Sequence, residues 1–269
     1  MPSIVPQNAE DEAQLRFLNA PQGGQGSGAV RYGAAMYFFQ RGMLNERELE
    51  SYRAASKIDG VPPITRLVGE TERYIGALDF AGKPDVMSGI ARWMRGPVHT
   101  ITPKQVPVLS HLDAALAAMT DRPLAAAANA AAPLLRWVTY PYEGQDIGEM
   151  FPRNHAFATL IGEHGPYQAD DFDLGLFLIA PHILYRDHQH AAPELYAPLT
   201  GPHGWRFQPD APIKDLPADV AIWNQAHQPH ATLTGDMPFF AIYCWTKDVN
   251  ASSRVIPSDD WAKLEKIMS

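Results

Sequence analysis

The sequence predicts a mainly β protein with an α-helical N-terminal extension, its second half folded into a barrel or sandwich. Three observations predict this. The 269-residue chain is 46% hydrophobic and 19% charged, an ordinary globular balance with enough length to bury a full core. Its patterning changes near residue 137: apolar residues recur at helical spacing before it, and short apolar runs broken by Gly, Pro and Asp clusters follow it. No long helical pattern interrupts residues 150–248, and several short strands at close spacing make a barrel or sandwich. The expected division is a helical region over 1–136, a β domain over 137–250 and a C-terminal helix and tail over 251–269.

Four to six helices are expected between about residues 9 and 136. Asn45-Glu46-Arg47-Glu48 has the layout of a capping box ahead of a short helix. Leu67, Thr71, Tyr74, Ile75 and Leu78 share one helical face. So do Val86, Ile90, Trp93 and Met94, and again Leu109, Leu112, Leu116 and Met119. Gly23–Gly28 lacks the Lys-Ser/Thr ending of a phosphate loop and reads as a surface loop. Among the strands, residues 174–181 and 238–245 are the clearest, and 221–233 reads as strand, turn, strand. Ser258 is placed to cap a short terminal helix.

Charge and composition exclude several classes of partner. The formal net charge is -8 and no basic run stands out, which argues against nucleic acid and against an anionic membrane surface. The Ala-rich stretch from Leu124 to Leu135 is too short and too weakly apolar to span a bilayer. The single cysteine, Cys244, forms no disulfide within the chain and reads as a buried strand thiol. The N-terminus lacks a basic segment followed by an apolar run, so a cytoplasmic location is expected.

The chemistry concentrates between Tyr185 and Gly201. His188 and His190 stand at i and i+2, so on a strand both imidazoles face one way. Ala191-Ala192-Pro193 can turn the chain, after which Glu194 and Tyr196 share a face of the next strand. If that turn is a hairpin, the two pairs converge. Two imidazoles and a carboxylate suit one divalent transition metal ion: Zn, Fe(II), Mn or Co. A third imidazole would complete the set, with His230 the candidate and His227 its rival. His182, His203 and His227 read as supporting or surface histidines. Asp170, Asp171 and Asp173 lack the spacing of a calcium loop and read as a solvated turn.

These residues carry a family resemblance. HxHxxxE followed after six residues by Gly resembles the first cupin motif, here His188, His190, Glu194 and Gly201; the glycine that usually opens it is replaced by His182. His230 stands at the histidine of the second motif, whose PxG is here Gln225-Ala226-His227 and whose Asn is Thr234. The longer run YxxHxHxAxExYxxLxG, followed by Pro229-His230-Ala231 and Pro238, resembles the cupin dimethylsulfoniopropionate (DMSP) lyases over roughly residues 150–246. The resemblance implies a double-stranded β-helix, or jelly-roll, barrel. It implies a metal held by His188, His190, Glu194 and His230.

It also implies a reaction: removal of the proton alpha to a carboxylate, with loss of dimethyl sulfide and formation of acrylate. Tyr196 matches the family tyrosine two residues after the glutamate and is the expected base, because a nearby cation favours a phenolate. Tyr185 is the second choice, as a substrate-orienting hydroxyl or alternative base. A sulfonium prefers aromatic faces. Tyr243 and Trp245 share a strand face at the family's aromatic positions, with Trp223 and Trp205 behind them. Two alternatives remain open at this point: a cupin dioxygenase or isomerase acting on another small carboxylate, and a cupin that only binds a ligand or metal. A helical extension on a barrel commonly packs against a second copy, which makes a homodimer the expectation for assembly.

Overall fold

The computed structural model describes residues 4–19, 28–58, 61–140 and 142–266, and the phosphate-loop-like Gly23–Gly28 segment falls mostly outside them. The chain divides into two compact units. The first comprises residues 1–67 with 122–132, and the second residues 68–121 with 133–269.

In the first unit, helices α1 (Ala9–Asn19), α2 (Gly28–Gln40) and α3 (Glu46–Ile58) bring Leu18, Ala34, Ala35, Phe38 and Leu44 into a small core. The capping box at the start of α3 is made in both directions. The Glu48 N–H donates to Asn45 Oδ1 at 3.0 Å, and the Asn45 N–H donates to Glu48 Oε2 at 2.9 Å. Asp11 is fully buried on α1, where it accepts from the Tyr37 hydroxyl at 2.8 Å and from the Gln7 N–H at 2.9 Å.

The remaining helices follow the apolar spacing. α4 (Pro63–Ala77) buries Leu67, Thr71, Tyr74 and Ile75, and α5 (Lys83–Trp93) buries Val86 and Ile90. The Leu109–Met119 pattern is split: a 3-10 turn, Pro107–His111, precedes α6 (Leu112–Ala118). α7 (Arg122–Ala131) is the Ala-rich stretch. No helix among the described residues is long and apolar enough to cross a membrane.

Two five-stranded antiparallel sheets form the β part. The first has the order β1-β2-β9-β4-β7, from β1 (His155–Ile161), β2 (Asp173–Ile179), β9 (Phe239–Trp245), β4 (Glu194–Pro198) and β7 (Ile222–Asn224). The second has the order β10-β3-β8-β5-β6, from β10 (Arg254–Val255), β3 (Leu184–Gln189), β8 (His230–Leu233), β5 (His203–Arg206) and β6 (Lys214–Leu216). The sheets meet face to face: Phe177 and Tyr196 of the first contact Tyr185, Trp205 and His230 of the second. Alternate residues of the inward faces fill the space between them.

The turn after β3 is not a hairpin, because β3 and β4 belong to different sheets. Ala191-Ala192-Pro193 instead carries the chain across the barrel, so the β3 and β4 side chains approach from opposite walls. Gly201, which closes the motif, is required sterically: a Cβ there would stand 2.6 Å from the Ala218 backbone N. His182 adopts φ 60, the left-handed region that favours glycine, at the position where the motif usually has one.

The C-terminal segment is tied to the back of β3. Arg206, fully buried on β5, donates to Asp187 Oδ1 at 2.9 Å and to Asp260 Oδ2 at 2.7 Å. The Trp261 indole of α8 (Trp261–Lys266) donates to Asp187 Oδ2 at 2.7 Å. Ser258 does not cap α8 with its side chain. Its hydroxyl bonds the side chains of Arg206, Asp210 and Asp260 instead, and the Asp260 carbonyl takes the Leu264 N–H at 3.0 Å.

Candidate metal centre and its cavity

A β-bulge builds the first half of the site. β3 pairs Tyr185 with Thr232 and His188 with His230, so three steps on β3 match two on β8. Tyr185 and His188 differ by an odd number and would face opposite ways on a regular strand. The extra residue turns both rings to one side, where they stack with centroids 3.9 Å apart. Asp187 is thereby left on the other face for Arg206.

His188, His190 and His230 offer ligand nitrogens within 4.8 Å of one another, and all three are buried. The Nδ1 atoms lie at backbone carbonyls: His188 at Arg186 O (2.9 Å), His190 at Ala192 O (2.8 Å) and His230 at Gln228 O (3.0 Å). A carbonyl oxygen only accepts, so each Nδ1 carries a proton, and Nε2 is the atom each ring turns toward the centre of the cluster. His188 Nε2 is buried without a hydrogen-bond partner. Glu194 Oε2, from the opposite sheet, lies 3.2 Å from Nε2 of both His190 and His230. Three neutral imidazoles and one carboxylate fit a divalent transition metal, and the orphaned lone pairs are the observation that supports one. His227 is exposed and takes no part; its N–H donates to His190 O at 2.8 Å.

Electrostatics treat these side chains differently. Burial, then the His230 and His190 rings, holds His188 well below its ordinary value, hence neutral. Burial disfavours charge on His190 too, but Glu194 outweighs it and raises that histidine. Burial likewise opposes ionisation of Glu194, yet His190 and His230 together keep its carboxyl far below the usual range.

The site opens into a cavity of about 250 Å³. His190 and Glu194 contribute to its wall, with Tyr196 from β4, Tyr243 and Trp245 from β9, and Tyr185 from β3. Trp245 has two contacts with the histidine end. Its indole donates to Glu194 Oε1 at 2.7 Å, and its ring lies 4.4 Å from that of His190. Burial first, then the Glu194 charge, pushes the Tyr196 phenol well above its ordinary value. Trp223 does not line this cavity: it packs on Phe80, with ring centroids 5.9 Å apart, on the face of β7 opposite Asn224. Trp205 is fully buried between Tyr196 and Phe239 and also stays out of the wall. Buried His203 turns to Thr200, 3.3 Å away. Cys244 is buried on the outer face of β9, opposite Leu195.

Four contributors lay outside the sequence signals. Tyr142 comes from an irregular segment before β1 and shares a hydrogen bond with the Tyr185 hydroxyl. Ser253, reached from the C-terminal side, lies 3.3 Å from the Tyr142 hydroxyl. Asn224 Nδ2 approaches Glu194 Oε2 at 3.5 Å. Asp173 lines the cavity rather than a solvated turn. Its signal was parity: on β2 it shares a face with Gly175 and Phe177, and Leu174 and Leu176 take the other.

The comparisons with known proteins now decide the family. The family model for dimethylsulfoniopropionate lyase matches residues 92–241, more than half of the chain. The chain belongs to the DMSP lyase family. That is a family of carbon–sulfur lyases, and the fold is the cupin barrel. The chain is also 30% identical over 159 residues to dimethylsulfoniopropionate lyase DddQ of Ruegeria pomeroyi, covering 56% of this chain and 76% of that protein. The crystal structure of DddQ from that organism matches with a TM-score of 0.61 at 23% identity, over 74% of this chain and 98% of the other. A second crystal structure, from work on the DMSP lyases RdDddP and RnDddQII, matches with a TM-score of 0.56 at 22% identity, over 72% of this chain and 98% of the other.

Proposed function

We propose that this protein is a metal-dependent lyase that cleaves dimethylsulfoniopropionate to dimethyl sulfide and acrylate. His188, His190, His230 and Glu194 would hold the metal, with Zn, Fe(II), Mn and Co as the candidates. Bound there, a divalent ion supplies positive charge that neutralises the substrate carboxylate and favours the Tyr196 phenolate.

Tyr196 is the base. Its phenolate oxygen takes the proton alpha to the carboxylate. The electrons of that C–H bond form the new C=C bond. The C–S bond breaks, and dimethyl sulfide leaves with its electron pair. Tyr196 shares a face of β4 with Glu194, two residues away, which keeps the base beside the metal end of the cavity. Tyr185 is fixed by its stack on His188 and its hydrogen bond with Tyr142, which suits a hydroxyl that orients substrate better than one that moves. Tyr243 and Trp245 give the cavity aromatic faces for a sulfonium.

The observation that carries this reading is the placement of Tyr196, Glu194 and His190 around one cavity in a member of this family. The test is to incubate purified protein with DMSP and each of Mn, Fe, Co, Ni and Zn, following dimethyl sulfide and acrylate. Stoichiometric release of both is expected. No release with any of these ions would refute the proposal.

A further inference from the structure

A row of three residues crosses the first sheet in register. Glu194 on β4 pairs with Trp245 on β9, which pairs with Asp173 on β2. Paired residues put their side chains on one face, and all three line the cavity. Neighbouring strands are about 4.8 Å apart, so the backbones of the two acidic residues stand roughly 10 Å from each other with the indole between them.

Asp173 reaches none of the histidines. Its Oδ1 accepts from the Tyr243 hydroxyl at 3.1 Å, and that hydroxyl lies 3.2 Å from Thr159 Oγ1. The contact depends on Gly175, which pairs with Tyr243 in the next row. A Cβ at Gly175 would stand 2.8 Å from Tyr243 Cε1 and 2.4 Å from the backbone O of Ala158. The missing side chain lets the Tyr243 ring lean across β2 toward Asp173. Burial, offset only in part by these two hydroxyls, pushes the Asp173 carboxyl up to about 7, and among the described residues no lysine, arginine or histidine contributes to that shift. A carboxyl on a cavity wall, held by hydroxyls and lacking a cation, is open to a cation delivered by a ligand. Phe157, Tyr243 and Trp245 supply aromatic faces in the same wall.

We infer that Asp173 recognises the cationic end of the substrate, making the cavity selective for zwitterions whose carboxylate lies at the histidine end. The inference rests on the lyase reading for the identity of the substrate, and Asp173 is a specificity residue rather than a proton carrier.

The test is calorimetric binding of two probes with the same shape. One is 3-(trimethylammonio)propanoate, a zwitterion. The other is 4,4-dimethylpentanoate, which keeps the carboxylate and loses the cation. Wild-type protein is expected to prefer the zwitterion by about tenfold or more, whether metal-free or Zn-loaded. Asp173→Asn should bind both probes alike while keeping its affinity for 4,4-dimethylpentanoate. Asp173→Glu should retain the preference. Asp173→Thr repeats the neutral test in a β-branched form suited to a strand. Neutral variants that keep the preference, or a wild type without one, would overturn the inference. Loss of both probes in both neutral variants would also count against it, because the carboxyl would then support the cavity itself. Turnover has no part in this readout, so failure of the lyase reading would be seen separately, in the DMSP assay.

Discussion

The two ends of the cavity hold two carboxyl groups in one cross-strand row, and the protein treats them oppositely. Glu194 and Asp173 both meet desolvation, which raises a carboxyl. Glu194 is driven far below its ordinary value because His190 and His230 stand 3.2 Å away. Asp173 has hydroxyl neighbours instead and rises to about 7. Burial alone therefore does not set the state of an acid in this barrel; the partners reaching it from neighbouring strands do. Glu194 has the setting of a ligand that stays ionised, and Asp173 that of a group awaiting a charge.

The largest effect expected from disturbing this contrast is at the histidine end. His190→Ala removes one proposed ligand and one of the two rings holding Glu194 down. Metal content by mass spectrometry should fall to background, and lyase activity by about a thousandfold or more. Full activity in a metal-free variant would remove the histidine end from the account.

A smaller effect is expected between the ends. Trp245→Phe keeps an aromatic face and deletes the donor to Glu194 Oε1. Metal affinity, measured by competition with a chelating dye, should weaken roughly tenfold, in line with loss of a partner that orients a ligand. Unchanged affinity would mean that the indole serves substrate alone.

A further effect is on stability, at the far end. A carboxyl whose folded value lies near 7 against an ordinary 3.8 favours folding when protonated. Its stability is whole below pH 4 and is lost as pH rises through 7. Asp173→Asn should therefore match metal-free wild type near pH 4 and exceed it above pH 7, by on the order of 2 kcal/mol. Denaturant melts at both pH values check the sign. Equal stability at both would show that burial imposes no cost on this group. A residue that costs stability where it could be neutral is one a functional site retains.

The sequence reading reached far where chemistry runs along one strand. Glu194 with Tyr196, and Tyr243 with Trp245, each follow from a period of two, and the structure puts both pairs on the cavity wall. It reached less far where the site depends on contacts between strands. The bulge that aligns Tyr185 with His188 has no local signature, since its extra residue shows only in the pairing with β8. The turn at Ala191-Ala192-Pro193 looks like a hairpin turn, and only the strand order shows that it changes sheets. Tyr142 and Ser253 lie in segments without periodicity, so their approach to Tyr185 is a product of tertiary packing alone. Asp173 follows Asp170 and Asp171 closely in the chain, and nothing local separates it from that acidic turn although it begins β2.

The central claim is that Tyr196 removes the substrate proton beside a metal held by His188, His190, His230 and Glu194. The most direct measurement compares dimethyl sulfide release by metal-loaded wild type and Tyr196→Phe, with metal content determined on the same samples. The account predicts equal metal content and a fall in kcat of about a hundredfold or more in the variant, the usual scale for loss of a positioned base. Equal rates at equal metal content would contradict it.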